Sequence, residues 1–386
     1  MTDVVIAGIG QTPVGEHWDI SLRELAFNAI EAAVQDSGGL RPQALFVANM
    51  LASSLSNQAH LGALVADFAG LSGIEAATIE AAGASGGAAL RQAYLTVSAG
   101  AADVVLVAGV EKMTDKIGSE VEAAIASAID SDFEAVQGLT STTQAAMLMR
   151  RYMHEFNAPR QAFAGFAVTA HANGANNPNA MFQKAISSEI YQRAGVVSDP
   201  LNMFDVAPNA DGAAALVVCR TDLLPPAYPH PLVRISGSSI VTDTLAIHDR
   251  SDPLNLDAAR LSVERACRQA GIVPEDVDLF ELHDAYSIYA ALSLEAAGFA
   301  ERGQGWQLAQ DGEIGLQGSI PVATAGGLKA RGNPGGASGA YQVVEAVLQL
   351  RGQAGANQVA NARRALVQCL GGPAASAATH VLETLG

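Results

Sequence analysis

The sequence predicts an α/β fold built from two similar halves, with an insertion in the first. Three observations carry this expectation. Short apolar runs alternate with helical stretches along the chain, the pattern of mostly buried sheets. The order of these runs repeats after the Pro-rich stretch 223–231, which reads as a linker. Each half also carries a turn of small residues that opens a helix, around Gly83 and again at 334–348.

In chain order, residues 4–10 read as a buried strand ending in a turn. Residues 21–38 read as a helix. Ser21 and Glu24 make a capping box, Leu22, Leu25, Ala29, Ile30, Ala33 and Val34 form one apolar face, and Gly38 stops it. A strand at 44–48 and a helix at 60–69 follow. Next come the turn, its helix over 88–97 and the strand 103–108, which runs into Gly109-Val-Glu-Lys-Met113. From about 114 to 199 the chain is more polar and mostly helical, as a loop domain inserted over one end of a sheet would be. A strand at 213–218 completes the first half, 1–225. In the second half, 232–386, strands at 232–238, 277–282 and 364–368 and helices at 257–271 and 334–348 echo the first.

Length and composition narrow the function. The 386 residues are 49% apolar and 16% charged, which allows a large core and much inter-subunit surface. A net charge of -17 argues against nucleic acid as a partner, because phosphate contacts need clustered Lys and Arg. A small anionic ligand needs only a local basic patch. Cys219, Cys267 and Cys369 are far apart without metal spacing, which fits a cytoplasmic protein. Residues 4–10 are too short for a signal or membrane span, and no run of membrane length occurs. No Gly-x-Gly-x-x-Gly opens a helix after the first strand, so a nucleotide redox cofactor is not expected.

Several short motifs then occur in order. They are Glu80-Ala-Ala-Gly-Ala-Ser-Gly-Gly87, Gly109-Val-Glu-Lys-Met113, Asn209-Ala-Asp-Gly-Ala-Ala214, His283-Asp-Ala-Tyr286, Gly326-Gly-Leu-Lys-Ala-Arg-Gly-Asn-Pro334 and Cys369-Leu-Gly-Gly372. Each is weak alone. Together, over essentially the whole chain, the set resembles the thiolase superfamily, and in particular its sterol-carrier-protein-type and archaeal-type members. The resemblance implies the thiolase fold, a duplicated five-layered α-β-α-β-α sandwich. It also implies a homodimer or homotetramer acting on an acyl-CoA, with coenzyme A entering as part of the substrate and no separate cofactor or metal.

The resemblance also assigns residues. The position of Gly83 is that of the family's nucleophilic Cys, and Asn333 stands where the family has the His of Gly-His-Pro. His283 matches the sterol-carrier-protein branch. In Cys369-Leu-Gly371 the Cys matches the one that moves the substrate α-proton. A hydrogen atom at Gly83 cannot attack a thioester, so the covalent half of thiolase chemistry is lost. The enolate half can remain, with Cys369 as base, His283 and Asn333 as donors, and the N–H groups of Gly83 and Gly371 as a second oxyanion site.

The expected activity is therefore aldol-type carbon–carbon cleavage or formation without an acyl-enzyme. Steroid side-chain aldolases of the superfamily, which also lack the Cys, set a precedent. A second enzymatic reading follows from the likeness of His283 and Asn333 to the pair of decarboxylating ketoacyl synthases. Two others stand beside it: an acetyl-CoA acetyltransferase whose nucleophile has been replaced by Gly83, and a non-catalytic subunit of a complex. The resemblance supplies a candidate partner, a small OB-fold/zinc-ribbon protein. A Cys at position 83 is expected to restore some thiolysis. Tyr286 and Tyr341 flank the motifs as proton donors or packing groups. Ser85 and Ser338 read as turn or cap residues, and Asn49, His60 and Met113 as core or subunit contacts.

Overall fold

The computed structural model describes residues 3–385. Eleven strands are formed among these residues: β1 (Val4–Gln11), β2 (Ala44–Ala48), β3 (Glu75–Ile79), β4 (Val104–Glu111), β5 (Val196–Ser198), β6 (Leu201–Asn202), β7 (Gly212–Arg220), β8 (Leu232–Thr242), β9 (Leu279–Glu281), β10 (Arg364–Gly371) and β11 (Ser376–Leu385). All but β5 and β6 lie in one ladder, in the order β3-β2-β4-β7-β1-β8-β11-β10-β9.

The ladder contains the duplication. In the first half β2 runs parallel to β3 and β4, while β7 is antiparallel to β4 and β1. In the second, β9 is parallel to β10, and β11 is antiparallel to β10 and β8. The place of β3 is taken there by a single parallel bridge between Phe280 and Val322. The halves meet where Val5 of β1 pairs with Arg234 of β8.

Strand alternation sorts the apolar side chains into layers. Val5 and Ala7 pack outward against the Leu22–Asp36 and Leu61–Phe68 helices. Val4 and Ile6 face inward, where they share one cluster with Val233 and Ile235 of β8 and with the helices Ser85–Ser98 and Ser338–Leu350. The outer face of the second half packs on Asp257–Ala270 and Ser287–Ala296. The result is the expected α-β-α-β-α sandwich. The two central helices cross at glycine: a Cβ on Gly86 would lie 2.4 Å from the Ala340 nitrogen, and one on Gly339 2.7 Å from the Gly87 nitrogen.

The capping box forms as expected, with the Glu24 N–H on Ser21 Oγ and the Ser21 N–H on Glu24 Oε2 at 2.8 Å. Two elements differ from expectation. The first central helix begins at Ser85, before residue 88. The turn before it draws its left-handed residue from Ala82 (φ 50°) and not from a glycine. Ser85 holds that strain: its Oγ donates to the Ala82 carbonyl at 2.6 Å and accepts from the Ala81 N–H at 2.9 Å. No described helix is long and apolar enough to cross a membrane.

Candidate active site

The turns that open the two central helices meet the ends of β9 and β10 beside a cavity of about 580 Å³. Gly83, His283 and Asn333 all line it, so the structure brings together three residues that are far apart in sequence. Other walls come from the segment between β4 and β7, which contributes Glu122, Ser141, His171 and Phe182.

His283 lies two residues past the end of β9 and is 6% exposed. Its Nδ1 has no hydrogen-bond partner among the described residues. Burial, with the positive charge of Arg331 added, pushes its pKa down to about 4. At neutral pH the ring is therefore uncharged, with one N–H to donate and one nitrogen to accept. Arg331 itself is held by Glu345 at 3.1 Å and lies over the Tyr341 ring, 4.9 Å from its centre.

Asn333 is positioned from both sides. Its backbone N–H donates to the Pro208 carbonyl at 3.0 Å, and its Oδ1 accepts from Ser338 Oγ at 2.8 Å. That leaves its amide N–H groups without a protein partner among the described residues. The loop leading to it contains the π-helical turn Gly327–Arg331, which Asp284 anchors by accepting the Leu328 N–H at 2.7 Å.

Glu111 ties the halves together beneath this site. It accepts from Asn49 Nδ2 at 2.7 Å and from the N–H groups of Met50 at 2.9 Å, Leu51 at 3.1 Å and Gly336 at 3.0 Å. Burial raises its carboxyl to about 7 against the pull of these donors. Glu111→Gln turns an amide N–H₂ toward donors, and is expected to cost about 2–3 kcal/mol of stability, read from chemical unfolding.

Gly83 sits at the turn apex with its missing side chain directed at His283. A Cβ there would lie 3.0 Å from His283 Cε1 and 2.6 Å from the Leu370 carbonyl oxygen. The second distance is shorter than real Cβ contacts, so a side chain here requires the backbone at the end of β10 to shift.

Three sequence expectations are corrected by these coordinates. Cys369 does not line the cavity. Along β10, Ala365 and Val367 face the central layer while Leu366 and Leu370 face the opposite side, and Cys369 takes the central face. A Cβ on Gly339 would lie 2.7 Å from its Sγ, and one on Gly87 3.1 Å away. Burial pushes the thiol up to about 12, and the side chain packs the helix crossing. Gly371 pairs with Ser376 at the end of β10 and is not on the cavity wall, although Leu370 and Gly372 beside it are. Of the two tyrosines, Tyr286 lines the cavity, but Tyr341 is buried with its hydroxyl on the Thr12 carbonyl at 2.9 Å.

Ser85 and Ser338 serve their turns as expected, Asn49 is bound to Glu111, and Met113 lines the cavity. Sequence reasoning missed Lys329, Glu122 and His171. Lys329 is fully buried at the cavity, donates from Nζ to the Asp205 carbonyl at 2.8 Å, and has its pKa pushed down by burial. It lies inside the quoted Gly326–Pro334 motif, a signal that was present. His171 is stacked on Phe182 with ring centres 5.9 Å apart and meets Phe204 edge-on. Nothing in its local pattern marks it.

The chain matches two family models, the thiolase N-terminal domain over residues 4–222 and the thiolase C-terminal domain-like model over residues 239–384. It is 41% identical over 385 residues to an acetyl-CoA acetyltransferase of Methanothermobacter thermautotrophicus, covering 99% of this chain and 100% of that one. It is 33% identical over 364 residues to the benzoylsuccinyl-CoA thiolase subunit BbsB of Thauera aromatica, covering 92% and 91% of the two chains. Among solved structures it resembles the Ltp2-ChsH2(DUF35) aldolase, with a TM-score of 0.84, 27% identity, and coverage of 99% of this chain and 98% of that one. The two domain matches, in order and over nearly all of its length, show that the chain belongs to the thiolase family.

Proposed function

We propose that this protein breaks or makes a carbon–carbon bond next to the carbonyl of an acyl-CoA thioester, through an enolate and without a covalent acyl-enzyme. One observation carries the reading. The cavity keeps polar groups suited to an enolate oxygen, His283 and Asn333, while the position facing His283, Gly83, has no nucleophile and admits none without a backbone shift.

In the cleavage direction a β-hydroxyacyl-CoA loses its hydroxyl proton. The Cα–Cβ electron pair moves into the thioester, and the enolate oxygen is met by an N–H of the neutral His283 and an amide N–H of Asn333. Protonation at Cα then releases the shortened acyl-CoA and a carbonyl compound. Burial strengthens the His283 donor. The similarity to a solved aldolase complex supports this reaction class and also a role for a small partner protein in this chain. The acetyltransferase among the relatives supports the acyl-CoA substrate.

The test is product analysis. With 3-hydroxyacyl-CoA substrates the protein is expected to release a carbonyl compound and a shorter acyl-CoA. With acetoacetyl-CoA plus free CoA it is expected to give neither thiolysis nor an acylated protein mass. Acylation of the protein would contradict the reading.

A further inference from the structure

We infer that Glu122, acting through Thr142, is the terminus of a proton relay that ends at the Tyr286 hydroxyl on the cavity wall. This rests on the enolate reading above, and supplies the base that Cys369 does not.

The three residues come from three separate elements. Glu122 lies on the Gly118–Ile125 helix, Thr142 in the first turn of Ser141–Phe156, and Tyr286 at the N-cap of Ser287–Ala296. Thr142 Oγ1 lies 3.0 Å from the Tyr286 hydroxyl and donates to Glu122 Oε2 at 3.4 Å. Thr142 has one hydroxyl proton, and the carboxylate takes it. The tyrosine must then donate to Thr142, so the chain has a single direction, Tyr286 to Thr142 to Glu122. The tyrosine oxygen keeps lone pairs for a substrate hydroxyl.

Tyr286 and Glu122 both line the cavity. No cation pairs with Glu122 among the described residues, and burial raises its carboxyl above the usual range, which makes the carboxylate a stronger base. A carboxylate used only for support would more commonly face a donor-rich partner, as Glu111 does.

The step balances without a co-reactant. The substrate hydroxyl proton passes to the Tyr286 oxygen as tyrosine hands its own to Thr142, and Thr142 hands its proton to Glu122. The Cα–Cβ bond breaks and its electron pair becomes the enolate. The relay then runs backward and Tyr286 protonates Cα. Exchange of the α-protons of acetyl-CoA uses the same path, with the Cα–H bond in place of the hydroxyl.

The probe is acetyl-CoA in heavy water, with exchange followed by NMR and binding by calorimetry. Glu122→Gln and Thr142→Val are each expected to slow exchange about 10²-fold while acetyl-CoA affinity stays within a few fold. Glu122→Ala is expected to regain rate on addition of formate, a response that a structural role would not give. Unchanged exchange in Glu122→Gln, or a loss in Glu122→Ala that formate does not relieve, would overturn the relay alone. Absence of exchange in the unaltered protein would remove the enolate reading and the relay together.

Discussion

His283→Ala is expected to slow acetyl-CoA α-proton exchange about 10²–10³-fold, with CoA binding little changed. The expectation follows from geometry more than from ring basicity. With its pKa pushed down to about 4, His283 is neutral throughout the ordinary pH range, so it acts as a hydrogen-bond donor to developing charge and not as a charged acid. The Cε1–Nε2 edge of the ring faces position 83, with a Cβ there 3.3 Å from Nε2, so Nε2 is the ring nitrogen nearest that position. Asn333 is less buried than His283, which makes its donor the weaker of the two, and Ser338 fixes its amide through Oδ1. Asn333→Ala should therefore cost less than His283→Ala, and Ser338→Ala should reproduce part of the loss. Exchange rates of the three variants check the order. Equal rates for His283→Ala and the unaltered protein would take His283 out of the chemistry.

The second large effect concerns Gly83. From sequence, a Cys at this position is expected to restore thiolysis. The structure reverses that expectation, because the new Cβ would meet the Leu370 carbonyl at 2.6 Å and the His283 ring at 3.0 Å. The end of β10 must move to admit it. Gly83→Cys is expected to lose about 1–3 kcal/mol of stability through overpacking and to form no acyl-enzyme with acetyl-CoA. Gly83→Ala should be destabilised to a similar degree, since the clash is already present at Cβ. Chemical unfolding and intact-protein mass together test this. A stable, acylated Gly83→Cys protein would mean that position 83 still accepts a nucleophile and that the end of β10 does not bar it.

Much of the fold was legible because its cues are local. The Ser21–Glu24 box, the small-residue turns and the apolar runs at β2 and β4 all identify themselves by residue type and period. What escaped had no such period. Ser287–Ala296 is buried on every side from Ser287 to Leu294, so no polar face marks it as a helix. The strand β11 is likewise buried on both faces over most of its length and starts with Ser376-Ala-Ala, which signals no strand.

The site was legible only where chemistry and motif coincide, as at His283 and Asn333. Cys369 misled because a motif fixes a position along a strand, while the face it takes depends on which neighbours the layers supply. Glu122 and His171 lie on helices whose pattern reports packing alone, and only the folded chain brings them to the cavity.

The most direct test of the central claim is α-proton exchange of acetyl-CoA in heavy water by the unaltered protein, followed by NMR alongside the intact-protein mass. The account predicts exchange well above the buffer rate with no acyl group on the protein. Bound acetyl-CoA that shows no exchange, or an acylated protein, would contradict it.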